Sequence, residues 1–169
     1  ISNSHDGLAA FQFNLGLFRL VCSNGLVTAH KQFASISIRH KGFAKEKVFM
    51  AVNEITKQIP SVLNYVERMR TVNLSQEQQL EFARKASFLR WNNKHTPINH
   101  VELLHIRRPE DDGNSLWNVY NRVQENLIRG GMDGLSSTNR TRRVRSVNAL
   151  DLDHNINRGL WEMAEKLVA

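Results

Sequence analysis

Between Ile38 and Phe43 the apolar period of the chain changes, and this change constrains the fold more than any other feature. In ASISIRH (34–40), Ile36 and Ile38 alternate with Ser35, Ser37 and Arg39. That period of two belongs to a strand with one buried and one wet face. From Phe43 onward, Val48, Phe49, Val52, Ile55, Ile59, Val62, Leu63, Val66 and Met69 fall at three- and four-residue steps. This is the stripe of an amphipathic helix. A strand-forming region followed by helical sequence predicts an α+β fold, with the helix covering the sheet.

The strand signals extend back to residue 8. FQFN (11–14), LFRLVC (17–22) and LVTAH (26–30) are short aromatic or β-branched runs, with Ser23-Asn24-Gly25 between the last two. Asn-Gly accepts the positive φ of a hairpin turn. The reading is an antiparallel meander of three to four strands over 8–40, packed against about four helices. Pro60 should split the long stripe near Lys57–Ile59. Ser75 with Gln78 reads as a capping box opening a second helix through Leu80, Phe82, Ala83, Ala86, Phe88 and Leu89 to Trp91. The segment 98–106 has no clear type. Ser115 caps a third helix with Leu116, Val119, Tyr120, Val123 and Leu127 on one face, stopped by Gly130-Gly131. The helical part thus covers 43–129, a basic loop covers 130–148, and a C-terminal helix covers 151–168 with Leu152, Ile156, Leu160, Trp161, Met163, Ala164 and Leu167 on its apolar face. A length of 169 residues suits one domain, 1–169. The start, ISNSHDGL, lacks Met and runs straight into sheet-forming sequence, which predicts a fragment missing N-terminal strands.

Charge narrows the partner. The net charge is +7, distributed as +5 over 1–70, zero over 71–135 and +2 over 136–169. A clustered basic excess fits a polyanion, nucleic acid before others. Arg140, Arg142, Arg143 and Arg145 crowd one segment beside the hydroxyls of Ser136, Ser137, Thr138 and Thr141, a composition suited to phosphate oxygens. Arg39, Lys41, Lys45 and Lys47 form a second basic strip at the end of the last strand. The two sets should share one cationic face. On the third helix Asn121, Gln124, Glu125 and Asn126 make a polar ridge. It reads either as a solvated face or as a buried amide network, with Glu125 meeting an arginine of the basic loop.

Catalytic chemistry is less visible. Cys22 stands alone, so no intrachain disulfide forms, and its apolar run reads as a buried thiol. His100 and His105 are five apart, whereas one helix face needs four, so no metal site is assigned. No cofactor motif is present. No apolar run approaches the ~18 residues of a membrane helix, so no membrane association is expected.

The segments SHDG (4–7), VCSNG (21–25), SISIRH (35–40), RRPEDDGNSLWNVYNRVQENLIRGG (107–131) and TRRVRSVNALDLDHNINRGLWEMAE (141–165) resemble the phage/plasmid-like proteins catalogued as domain of unknown function number nine hundred and thirty-two. The resemblance covers nearly the whole chain in order. It implies carriage on mobile genetic elements and a bacterial cytoplasm, and it transfers no catalytic residue. A meander followed by a long helix with basic strips also looks like the core of phage single-strand annealing recombinases, an analogy of fold alone. The resulting expectation is a non-enzymatic nucleic-acid-binding accessory protein of a phage or plasmid, acting on single-stranded DNA. The first rival is a protein-interaction module, such as an inhibitor of a host defence protein or a ring-forming structural component, using RRPEDDGN and Trp117, with a host protein or further copies of the chain as partners. The second is a metal-dependent nuclease using Asp111-Asp112 or Asp151 and Asp153.

Overall fold

The computed structural model describes residues 11–20, 27–38, 45–57, 59–91, 96–136, 138 and 140–168. Its elements in order are β1 (Phe11–Leu20), β2 (Val27–Ile38), α1 (Lys45–Thr56), α2 (Ile59–Thr71), α3 (Gln76–Arg90), α4 (Leu116–Arg129), β3 (Asp133–Leu135), β4 (Thr141–Arg143) and α5 (Leu150–Val168). The class is α+β, with helix predominating. The chain divides into two compact units, 1–65 and 66–169.

In the first unit β1 and β2 pair antiparallel, Phe11 opposite Ile38 and Leu20 opposite Val27. The four short runs expected here are therefore two long strands among the described residues. A three- or four-strand meander is not what they form. Gly16, which separates two of those runs, does not turn the chain. The register shifts on either side of it, and an irregularity of this kind lets a strand bend and continue. Ser23-Asn24-Gly25 and residues 8–10 lie outside the described residues.

The split at Pro60 falls where its chemistry demands. α1 ends at Thr56 and α2 begins at Ile59, with Pro60 in the first turn, where no intrahelical N–H is missed. α1 lies against β2. The apolar stripe, expected to be core throughout, is core only in part. Val66 and Met69 are buried, whereas Phe49 is 69% exposed and Leu63 54% exposed. Periodicity shows that residues share a helix face; it does not show that the face has a partner.

The second unit is built around α4. The capping box opening α3 is present: the Ser75 N–H donates to Gln78 Oε1 at 2.9 Å and the Gln78 N–H donates to Ser75 Oγ at 3.2 Å. Phe82, Ala83 and Ala86 of α3 are buried, while Leu80 is exposed. α4 starts at Ser115, whose Oγ accepts from the Asn118 N–H at 3.2 Å. It ends at Gly130, where φ is 61°. Its expected face of Leu116, Val119, Tyr120, Val123 and Leu127 is completely buried. Each such side chain contributes roughly 1.5–3 kcal/mol of burial. Across this face α5 supplies Ile156, Leu160, Trp161 and Ala164, all buried, and the Tyr120 and Trp161 rings meet edge to face at 6.2 Å. The untyped segment 98–106 forms a 3₁₀ turn over His100–Leu104 that puts Leu103 into the same core.

Burial does not stop at the apolar face. Every residue from Val119 to Ile128 is buried, including Asn121, Arg122, Gln124, Glu125 and Asn126. A helix enclosed on all sides must satisfy each of its polar side chains internally. Gln124 Nε2 donates to Asn157 Oδ1 of α5 at 2.6 Å. Arg122 donates to Gln79 Oε1 of α3 at 3.1 Å and to the Gly113 carbonyl at 2.9 Å. Asn126 Nδ2 donates to the Leu103 carbonyl at 3.0 Å and the His105 carbonyl at 2.8 Å, and its Oδ1 accepts from Arg107. Gln124, Arg122 and Asn126 thus tie α4 to α5, α3 and the 3₁₀ segment, whereas Asn121 Oδ1 and Arg122 Nε are buried with no hydrogen-bond partner among the described residues.

Candidate nucleic-acid interface

The segment expected as a loop over 130–148 contains the hairpin β3–β4, in which Gly134 faces Arg142 and Leu135 faces Thr141. Three-residue strands are too short to show alternation, and tertiary contacts hold them. The Gly131 N–H donates to the Val144 carbonyl at 2.8 Å, the Val144 N–H to the Met132 carbonyl at 2.9 Å, and the Leu135 N–H to the Pro97 carbonyl at 2.6 Å. Two glycines allow these approaches. A Cβ on Gly130 would stand 2.5 Å from the Arg145 carbonyl oxygen, and one on Gly134 would stand 2.8 Å from that of Pro97. At the tip, the Ser136 N–H donates to the Arg140 carbonyl, and Ser136 Oγ accepts from the Arg140 N–H while bonding Thr138 Oγ1. The hydroxyls at 136 and 138 therefore close the hairpin rather than wait for a ligand. Ser137 lies outside the described residues.

Arg140, Arg142, Arg143 and Arg145 are all exposed, and no ion pair among the described residues includes any of them. Arg142, Arg143 and Arg145 line one groove of about 370 Å³ together with Arg90 and Trp91 from the end of α3. Arg140, at the tip, is not part of its wall. The remaining lining is apolar or small (Pro97, Gly134, Leu135, Ser136, Val144), and no carboxylate is among it. Among the described lining residues the groove carries an excess of positive charge, with Asp133 standing opposite Arg143 in the hairpin register as the neighbouring carboxylate.

Sequence reasoning missed Arg90 and Trp91. Arg90 donates to the Leu127 carbonyl at the end of α4 and to the Arg145 carbonyl beyond β4, and its guanidinium lies 4.8 Å over the Trp91 ring. Desolvation pushes its pKa down. The partners lie 37 and 55 residues away, so no local pattern announces them. Arg107 was missed for the same reason. It donates to Asn126 Oδ1 and to the Gly130 carbonyl, bracing the turn that launches β3.

Arg39 and Lys41 lie outside the described residues, and Lys45 and Lys47 stand at the start of α1, in the first unit. Asn121 Nδ2 donates to the Trp117 carbonyl at 2.8 Å. Glu125 meets Arg108 Nε at 2.9 Å and Arg129 at 3.3 Å, so its arginines come from the 107–114 loop and from α4 itself, not from the basic segment. That loop, the candidate protein-docking patch, turns part of its chemistry inward: Asp111 is 2% exposed, and Trp117 stacks on Tyr120 at 6.0 Å. A larger concavity, about 660 Å³ beside α3 and α5, has Leu80, Met163 and Leu167 in its wall and charges of both signs. Among the described residues no three His, Cys, Asp or Glu side chains gather in a metal-sized cluster, and no helix is long and apolar enough to cross a membrane.

Comparison with known proteins places this geometry in a family. The chain is 36% identical over 166 residues to the UPF0380 protein YafZ of Escherichia coli (strain K12) and, to the same extent, to the UPF0380 protein YfjQ of that strain. Each alignment covers 98% of this chain and 60% of the relative, so the chain spans about three fifths of the length of these proteins. No solved structure matches it. The family model described as "Domain of unknown function (DUF932)" matches residues 1–161, and the chain belongs to that family.

Proposed function

We propose that this chain is a non-enzymatic nucleic-acid-binding accessory protein of a phage or plasmid, holding DNA by its phosphates through Arg142, Arg143 and Arg145. The observation that carries the reading is the groove beside β4, where three exposed guanidiniums share a wall that contains no carboxylate. Guanidinium forks match phosphate oxygens two at a time, and contacts of this kind position a backbone without reading its sequence. The hairpin is anchored to α3, α4 and Pro97, so the three groups are presented from a fixed scaffold.

Three phosphate contacts set the expected salt response. Neutralising three charges gives a slope of log affinity against log salt of about −2.1 for a single strand to about −2.7 for a duplex, so affinity falls roughly 20- to 40-fold between 50 and 200 mM salt. The test is titration of labelled oligonucleotides of unrelated sequence at those two concentrations, with wild type and the double variant Arg142→Ala, Arg143→Ala. The expected result is binding that weakens steeply with salt and is reduced for all sequences alike in the variant. Absence of binding at the lower salt ends the proposal.

A further inference from the structure

We infer that the groove beside β4 takes an unpaired nucleotide, its base on the Trp91 ring and its flanking phosphates on Arg142, Arg143 and Arg145. This rests on the nucleic-acid reading above and specifies which form of nucleic acid the site selects.

The inference starts from the two groove residues that the phosphate reading does not use. Arg90 is the fourth guanidinium in the wall, and each of its Nη atoms donates to a backbone carbonyl, one to Leu127 and one to Arg145. It is therefore a positioning residue. It ties the end of α4 to the segment after β4 that carries Arg145, and its Cζ lies 4.8 Å from the centre of the Trp91 ring. Trp91 is the residue at which α3 stops, with extended backbone at φ −117° and ψ 141°, and it is half-buried rather than packed into the core. The other two tryptophans differ. Trp161 is 1% exposed and Trp117 stacks on Tyr120. An indole fixed on an arginine at the wall of a cationic groove is a stacking platform of the kind used by single-strand binders.

The remaining wall supports the same ligand. Leu135 is 50% exposed, and Pro97 and Val144 stand with it in the lining. A duplex presents its phosphates and hides its base faces, so Trp91 and Leu135 would gain nothing from it. An unpaired base covers both. The volume, about 370 Å³, lies at the low end of small-ligand sites, which suits one nucleotide. Among the described lining residues the groups that can reach a base edge are the arginines, whose preferred edge is that of guanine.

The experiment compares a short oligothymidylate with a duplex of equal length, reading intrinsic tryptophan fluorescence and acrylamide quenching. Wild type, Trp91→Ala and Trp91→Phe are tested, each checked for fold by circular dichroism. Wild type should bind the single strand more tightly and lose acrylamide access on binding. Trp91→Ala should weaken single-strand affinity about 5- to 150-fold with the salt slope unchanged, leave duplex affinity near wild type, and be largely rescued in Trp91→Phe. If Trp91→Ala does not fold, Trp91→Phe and the wild-type quenching carry the test alone. Equal affinity for both forms, insensitive to Trp91 yet salt-dependent and lost on replacing Arg142 and Arg143, overturns this inference and leaves the phosphate reading standing. No binding of either form at low salt overturns both.

Discussion

Asn126→Leu should be the most damaging single substitution in α4 that leaves side-chain volume nearly unchanged. Asn126 is 1% exposed, and its amide donates to the Leu103 and His105 carbonyls while accepting from Arg107. Leucine fills the space but offers no polar atom. A buried carbonyl left without a donor costs about 1–3 kcal/mol, and two are affected, the second only part-buried. Arg107, which is exposed, can recover water for its lost bond. Offsetting this by about 1 kcal/mol of added apolar burial leaves a net loss of about 3 kcal/mol. For a chain this long, that lowers the melting temperature by roughly 6–12 °C. Trp91, Trp117 and Trp161 all lie in the 66–169 unit, so tryptophan fluorescence during urea or thermal unfolding reports the unit that α4 organises. Asn126→Asp keeps the acceptor for Arg107 but sets a carboxylate against two carbonyls, so it should lose at least as much. A loss below about 1 kcal/mol for Asn126→Leu would show that the amide network does not hold the 3₁₀ segment to α4.

Gly130→Ala should destabilise the same unit by about 3 kcal/mol and weaken oligonucleotide binding, because φ is 61° and the new methyl meets the carbonyl oxygens of Arg145 and Val144 at 2.5 and 2.6 Å; unchanged urea midpoint and affinity would refute it. Glu81 is held at a pKa of about 2, chiefly by its hydrogen bond from Arg84. A carbon-detected NMR titration should place its midpoint there, and Arg84→Ala should return it toward 4.5; a wild-type midpoint near 4.5 contradicts the bidentate pairing. Desolvation raises the Asp153 pKa above its ordinary value, against the lowering influence of His154 and of the Asn157 hydrogen bond. The folded state then binds the proton more readily than the unfolded chain, so protonation of Asp153 adds stability as pH falls through the window between the raised value and 3.8. Wild type should gain on Asp153→Asn over that window in parallel denaturation curves, and a gap that is constant with pH would refute it.

What the sequence discloses and what it hides divide along physical lines. The apolar faces of α4 and α5 are legible because Leu116, Val119, Tyr120, Val123 and Leu127, and likewise Ile156, Leu160 and Ala164, repeat at helical spacing. The capping box at Ser75 and the stop at Gly130 are legible because backbone geometry selects those residue types. Asn126 is not, since an amide on a helical ridge reads the same whether its face is wet or enclosed. The stripe through Phe49 and Leu63 shows the converse: a correct periodicity assigned to core where much of the face is exposed. The groove was half visible. The guanidiniums at 142, 143 and 145 are close in sequence, whereas Arg90 joins them through a hydrogen bond between segments far apart in the chain and brings the neighbouring Trp91 with it, which composition and period do not encode.

The most direct test of the central claim is the slope of log affinity against log salt concentration for a single-stranded oligonucleotide, measured for wild type and for the triple variant Arg142→Ala, Arg143→Ala, Arg145→Ala. The account predicts a wild-type slope of about −2 with all three guanidiniums engaged, collapsing toward zero in a variant whose melting temperature is unchanged. Equal slopes in the two proteins would contradict it, because the phosphates would then be held by something other than this groove.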